Sequence, residues 1–137
     1  MNDKGTSIGR KTLINAAGTL LDFSTPKVMG IINQTPDSFY AESRSTMAIE
    51  SVRMAEAMLS DGATIIDIGA QSTRPGAPYL RAADEWYRLQ PALVQLRKQF
   101  PNAILSVDTF HSMVANNALL EGANMINDVS AGSMDNG

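Results

Sequence analysis

Met29-Gly30-Ile31-Ile32-Asn33-Gln34-Thr35-Pro36-Asp37-Ser38-Phe39 decides how the chain folds. An apolar run that begins at Val28 ends abruptly at Asn33 and passes into a polar segment broken by Pro36. A strand buried on both faces reads as such a run, and residues that carry chemistry collect on the loops where such strands surface. The pattern recurs three times. Thr64-Ile65-Ile66-Asp67-Ile68-Gly69 is one case, Ala103-Ile104-Leu105-Ser106-Val107 running into Asp108-Thr109 is another, and Asn124-Met125-Ile126 running into Asn127-Asp128-Val129-Ser130 is the last.

Helical patterns separate these runs. Residues 34–45 read as loop, because Pro36 cannot continue a strand ladder and biases Thr35 away from helix. Residues 46–61 read as helix, with Ala48, Val52, Ala55 and Leu59 at helical spacing, Ser45 or Thr46 as cap and Gly62 as the stop. Residues 70–82 form a second loop. Residues 83–99 predict a second helix with Leu89, Leu93, Leu96 and Phe100 on one stripe. Asp84 and Glu85 favour its first turn, Pro91 should kink or split it, and Pro101 ends it. Residues 111–121 predict a third helix, stopped by Gly122. Asp61-Gly62-Ala63-Thr64-Ile65-Ile66-Asp67 and Glu121-Gly122-Ala123-Asn124-Met125-Ile126-Asn127 repeat one pattern, a helix end, a tight turn and a strand entry. Ahead of all this, residues 1–10 read as loose. Residues 11–15 and 19–23 read as a small hairpin turned by Gly18.

Strand and helix alternation with apolar strands means a parallel sheet. Either an open doubly wound sheet or part of an eight-stranded barrel satisfies it. Asn33, Asp67, Asp108 and Asn127 stand at or near C-terminal strand ends, which a barrel gathers at one mouth. No Gly-x-Gly-x-x-Gly follows the first strand and no phosphate-binding Gly-x-x-x-x-Gly-Lys-Ser/Thr occurs. The expected fold class is therefore α/β, the N-terminal half of a (β/α)8 TIM-type barrel preceded by a small β-hairpin. Residues 1–27 would be tail and hairpin, and residues 28–137 the first four barrel strands.

The 137 residues are 44% hydrophobic and 18% charged, a globular composition with a net charge of −3. That charge favours neither nucleic acid nor an anionic membrane as partner. The absence of Cys excludes disulfides and thiolate metal sites, and the single His, His111, excludes a His-rich one. No apolar run approaches the roughly 20 residues that span a bilayer. The N-terminal residues lack a signal-like apolar core, so the cytosol is the expected compartment.

Several residues invite chemistry, each beside a plainer reading. Asn33 with Thr35, Asp37 and Ser38 offers hard oxygens suited to Mg²⁺ shared with a phosphate, or an Asx or Pro turn that satisfies itself. Ser72-Thr73-Arg74-Pro75-Gly76 offers hydroxyls and a guanidinium for phosphate or carboxylate, or a solvated surface turn. Asp67, Asp108 and Asn127 need hydrogen-bond donors when buried. A nitrogen heterocycle with ring N–H and amino groups would supply them, and so would neighbouring strands. His111 reads as an exposed helix-start residue. Met54, Met58, Met113 and Met125 read as core filler.

Met29 to Phe39 closely resembles the first signature of the dihydropteroate synthase family. Ile65-Ile66-Asp67-Ile68-Gly69 with Ser72-Thr73-Arg74-Pro75-Gly76 resembles its second. Ser106-Val107-Asp108-Thr109 and Ile126-Asn127-Asp128-Val129-Ser130 resemble the third and fourth blocks, in the family's order and spacing. The resemblance implies transfer of a dihydropterin from its methylene pyrophosphate to p-aminobenzoate, giving dihydropteroate and pyrophosphate. It implies that Asn33 holds Mg²⁺ and that Asp108 and Asn127 hydrogen-bond the pterin. It gives Thr73 and Arg74 the catalytic loop that closes over p-aminobenzoate and the leaving pyrophosphate. The full-length form would be a homodimer and a sulfonamide target. Tyr40-Ala41-Glu42-Ser43, Ala70 and Gln71 depart from the family's usual residues. The family's later blocks, with a further Asp, a Lys and an Arg-x-His pair, have no counterpart here, so this chain alone is expected to be nearly inactive. A pterin-dependent methyltransferase domain and a non-catalytic half-barrel that binds pterin or dimerises are the alternatives.

Overall fold

The computed structural model describes residues 12–35, 41–72 and 75–135. A hairpin comes first, from β1 (Leu13–Ala16) and antiparallel β2 (Thr19–Asp22). Ala17 and Gly18 turn it with φ of 50° and 89°, and the Asn15 side chain accepts from the Gly18 N–H at 2.7 Å. Two successive positive φ angles give the twist a two-residue hairpin needs. Residues 1–11, which include the expected loose tail, lie outside the described residues.

The main sheet holds β3 (Met29–Asn33), β4 (Ile65–Gly69), β5 (Ile104–Asp108) and β6 (Met125–Asn127), all parallel and in chain order. Between them run α1 (Ala41–Ser60), α2 (Ala82–Gln99) and α3 (Ser112–Leu120). A doubly wound sheet reverses its strand order at a switch point. Here four successive strands lie side by side without reversal, as a barrel requires.

The pleat divides the sheet's residues. Ile32, Ile66, Ile68, Leu105 and Val107 join Ala55, Leu89, Leu93, Leu96, Val114 and Ala118 in one core, so all three helices cover the same face. Gly30 faces α1 so closely that a Cβ there would meet the Met58 side chain. On the opposite face Ile65 and Ile104, with Met125, pack against Ala16 and Leu21 of the hairpin. The hairpin thus covers the N-terminal ends of β4, β5 and β6, while Met29 at the start of β3 stays exposed.

The sequence repeat is a repeat in three dimensions. Gly62 and Gly122 have φ of 104° and 98°. In α1, Gly62 N–H donates to Leu59 O and Ala63 N–H to Met58 O; in α3, Gly122 N–H donates to Leu119 O and Ala123 N–H to Ala118 O. Both are Schellman endings, in which only glycine adopts the left-handed residue without strain.

Four expectations change. First, α1 begins at Ala41, so Ser45 and Thr46 lie inside it and not at its start. Second, α2 runs unbroken through Pro91. Proline cannot donate to the carbonyl four residues back. That carbonyl, on Tyr87, accepts instead from Arg44 Nη1 at 3.4 Å, and the Arg44 guanidinium lies 3.6 Å from the centre of the Tyr87 ring. Third, β6 stops at Asn127, and residues 128–132 form a turn around Asp128. Asp128 accepts from the Ser130 N–H, the Ser130 hydroxyl and the Gly132 N–H at 2.7–2.8 Å. The Ser130 hydroxyl and these N–H groups hold its carboxyl below the usual range. Finally, Met54 and Met113 are exposed, whereas Met58 and Met125 pack in the cores.

Candidate functional site

Register places Asn33 beside Gly69, Gly69 beside Asp108, and Asp108 beside Asn127. Three of the residues singled out in the sequence therefore form one row across four strands. The row lies at the C-terminal ends on the face away from the helices. Strand periodicity alone accounts for it, since each is the last residue of an in-register strand.

Gly69 makes the row fit. A Cβ at this position would lie 3.2 Å from Asp108 Cβ and 3.4 Å from Asp108 Oδ2, tighter than ordinary packing. The missing side chain is the space the Asp108 carboxylate uses.

One layer deeper, Asp67 stands beside Ser106. Asp67 is 2% exposed and its Oδ2 accepts from Asn127 Nδ2 at 3.2 Å. That bond turns one amide N–H of Asn127 downward and leaves Oδ1 to accept from a ligand. Asp67 Oδ1 and Ser106 Oγ are buried without a partner among the described residues. Buried polar atoms are seldom left so, and this pair lies directly beneath the row. Asp67, read from the sequence as ligand-facing or as a layer residue, is a layer residue that orients Asn127.

Burial raises the pKa of Asp108, and the charges of Asp67 and Asp128 raise it further. Three carboxylates near one row make an acceptor-rich site that favours cationic or N–H-bearing groups. A cleft of about 520 Å³ opens beside it, lined among others by Gln71, Ser72, Tyr79, Glu85, Asp108 and Phe110.

Asn33 is exposed at the other end of the row, and Gln34 after it is buried. The Gln34 amide donates to the Ser51 hydroxyl of α1, and its backbone N–H donates to Gly69 O at 2.6 Å. These contacts fix the strand end that presents Asn33. Asp37, Ser38, Thr73 and Arg74 lie outside the described residues. The frame of the second loop is described. Gln71 Oε1 accepts from the Leu80 N–H at 2.8 Å, and Gln71 Nε2 donates to Pro78 O at 3.2 Å.

Two neighbours were not identified by sequence reasoning. Glu85, expected as a dipole-facing residue, is 1% exposed and accepts from the Thr109 hydroxyl at 2.7 Å. Burial pushes its pKa up, while the Thr109 hydroxyl works the other way. His111, expected to be exposed, is half-buried; its Nε2 lies 2.9 Å from Leu80 O, so that nitrogen carries the proton. Only the placement of two acidic residues in a first turn hinted at Glu85. Nothing local hinted at His111.

Residues 29–137 match the family of pterin binding enzymes. The chain is 42% identical over 114 residues to dihydropteroate synthase from Escherichia coli (strain K12), covering 83% of this chain and 40% of that protein. It is 43% identical over 130 residues to the mitochondrial folate synthesis bifunctional protein of Arabidopsis thaliana, covering 93% of this chain and 24% of the relative. Among solved structures, Xanthomonas albilineans dihydropteroate synthase with 4-aminobenzoic acid superposes with a TM-score of 0.79 at 39% identity. That match covers 90% of this chain and 45% of the other. Burkholderia cenocepacia dihydropteroate synthase complexed with 7,8-dihydropteroate superposes at 0.73 with 35% identity. The fold is thus that of the N-terminal half of the dihydropteroate synthases, and the chain spans 45% of the Xanthomonas albilineans structure and 24–40% of the two curated relatives. By the match over residues 29–137, this chain belongs to the pterin binding enzyme family.

Proposed function

We propose that this chain forms the pterin-holding half of a dihydropteroate synthase, a transferase of folate synthesis. The row of Asn33, Gly69, Asp108 and Asn127 over buried Asp67 carries the proposal. In this reading Asp108 and the Asn127 carbonyl accept hydrogen bonds from the N–H and amino groups of the pterin ring. The bonds to the Asp108 carboxylate are charge-assisted and therefore the stronger ones.

The reaction breaks the bond between the pterin methylene carbon and the pyrophosphate oxygen. The oxygen leaves with the electron pair, the aniline nitrogen of p-aminobenzoate bonds to the methylene carbon, and that nitrogen then loses a proton. The protein holds the ring, positions the amine and stabilises departing charge. Thr73 and Arg74 are assigned to the last two tasks as catalytic and substrate-binding residues.

Asn33 suits Mg²⁺ in a restricted way. No group of three or more His, Cys, Asp or Glu among the described residues could hold a metal. Asn33 offers one exposed neutral oxygen, and Mg²⁺ commonly completes its shell from phosphate oxygens and water. When bound, the ion would neutralise charge on the pyrophosphate. Sulfonamides would compete with p-aminobenzoate.

No helix among the described residues is long and apolar enough to cross a membrane. We take the cytosol as the compartment and a homodimer as the full-length form, with neither nucleic acid nor membrane as partner. Fractionation and light scattering test these assignments.

The direct test supplies dihydropterin pyrophosphate, p-aminobenzoate and Mg²⁺ to this chain, alone and joined to the C-terminal half of a dihydropteroate synthase. Dihydropteroate is expected from the joined protein and nearly none from the chain alone. Methyl transfer from methyltetrahydrofolate by the joined protein, without dihydropteroate, would overturn the proposal.

A further inference from the structure

Thr109 stands at a junction. It directly follows Asp108, and its backbone N–H donates to Asn127 O at 3.1 Å. It therefore ties together the ends of β5 and β6, which carry the two proposed pterin contacts. Its hydroxyl is used twice. It donates to Glu85 Oε2 at 2.7 Å and accepts from the His111 N–H at 3.1 Å. Thr109 is 3% exposed and Glu85 is 1% exposed.

A buried carboxylate on a helix is costly unless its bonds are worth keeping. Glu85 Oε1 has no partner among the described residues, so its one described side-chain bond is the bond to Thr109. An apolar side chain would fill this place with less strain on folding. The groups that bear on Glu85 are the Thr109 hydroxyl, His111 and Asp108. The first two belong to the β5–α3 junction, and the third is the row's own carboxylate.

We propose that Glu85 is a positioning residue for the site: through Thr109 it fixes the junction between Asp108 and Asn127, and so sets the spacing of the two acceptors that face the pterin. The proposal rests on the functional reading above, but the tether itself does not. Glu85 reaches from the first turn of α2, so it locks that helix to the ends of β5 and β6. It touches no substrate in this reading. Its action is on the register of the row.

The test is titration of 6-hydroxymethylpterin by its fluorescence, with amide hydrogen exchange at Thr109 on the same samples. Glu85→Ala and Thr109→Val should each weaken binding about tenfold, the value of one charge-assisted bond, and the double variant should lose little more. Glu85→Gln keeps an acceptor and Thr109→Ser keeps the hydroxyl, so both should bind within about threefold of the parent. The Thr109 amide should exchange faster in Glu85→Ala. A lower melting temperature with unchanged pterin binding and unchanged Thr109 exchange would mean a purely structural role and would overturn the proposal. If Glu85→Ala fails to fold, Glu85→Met decides, since it fills the same space without leaving a buried charge unpaired. If the parent binds no pterin, the functional reading fails on its own. Exchange at Thr109 then still decides the tether, faster exchange upholding it and unchanged exchange overturning it.

Discussion

The two ends of the same four strands differ in kind. At the N-terminal end, on the face away from the helices, Ile65, Ile104 and Met125 are sealed by Ala16 and Leu21 of the hairpin. At the C-terminal end that same face carries Asn33, Asp108 and Asn127. Three to five residues of strand separate an apolar end from a polar one. The first is built for burial, which is where the hydrophobic effect acts. The second holds carboxylates in positions that burial penalises. Parallel barrels divide stability and chemistry between their ends in this way.

The N-terminal end depends on Arg97, so its loss tests the division most severely. Its guanidinium donates to Gly122 O, Phe100 O, Pro101 O, Ala103 O and Asn124 Oδ1. The Asn124 Oδ1 also accepts from the Leu105 N–H at 2.9 Å. Arg97→Ala strands several of these acceptors and should cost about 3 kcal/mol or more in urea denaturation. Pterin binding by the folded fraction should be unchanged. Loss of binding in a folded sample would show that the ends are coupled.

Leu21→Ala removes a 3% exposed side chain from the hairpin seal. It should cost about 2–3 kcal/mol, again without moving the pterin affinity. An effect under about 0.5 kcal/mol would mean that the hairpin is an ornament and not a seal.

At the other end the sign should reverse. Asp108 and Glu85 both have pKa values raised above their ordinary range, chiefly by burial. A carboxyl raised in the folded state adds stability below its unfolded pKa. That stability is lost as pH climbs through the folded pKa. Asp108→Asn should therefore stabilise the chain at pH 7 by up to about 1 kcal/mol, the size of ordinary stabilising changes. It should also flatten the fall in stability with rising pH, and weaken pterin binding at least about tenfold. Thermal melts across pH 3–8 measure the first two effects; destabilisation at pH 7 would contradict the assignment of the row as a site kept at a cost.

The smallest effect compares the two helix endings. Gly62→Ala should cost about 1 kcal/mol for its left-handed φ alone. Gly122→Ala should cost more, because a Cβ there would lie 3.3 Å from the Arg97 side chain, whereas at Gly62 nothing lies within 4 Å. Equal costs would show that Arg97 yields freely.

Much of the fold was legible in the sequence. The four apolar runs became four parallel strands, and the repeated helix end became two identical turns. Row membership was legible too, since Asn33, Asp108 and Asn127 each end a run. Residues whose partners lie far along the chain were not legible. Glu85 meets Thr109 across 24 residues, His111 meets Leu80 across 31, and Arg44 meets Tyr87 across 43. Arg44 supplies a donor to the Tyr87 carbonyl that Pro91 cannot serve, and no window around Pro91 contains it.

By itself the sequence determined the strands, the helices, the glycine endings and the residues standing at the polar end. Local pattern suffices there, because side-chain period and backbone preference act over a few residues. Tertiary structure bore out the expected barrel arrangement, strands in chain order with every helix on one face. It alone decided that Gly69 leaves room for the Asp108 carboxylate and that Asp67 turns Asn127 toward its neighbour. Those outcomes depend on which surfaces meet after the chain has folded, and contacts between residues far apart in the chain leave no local period in the sequence.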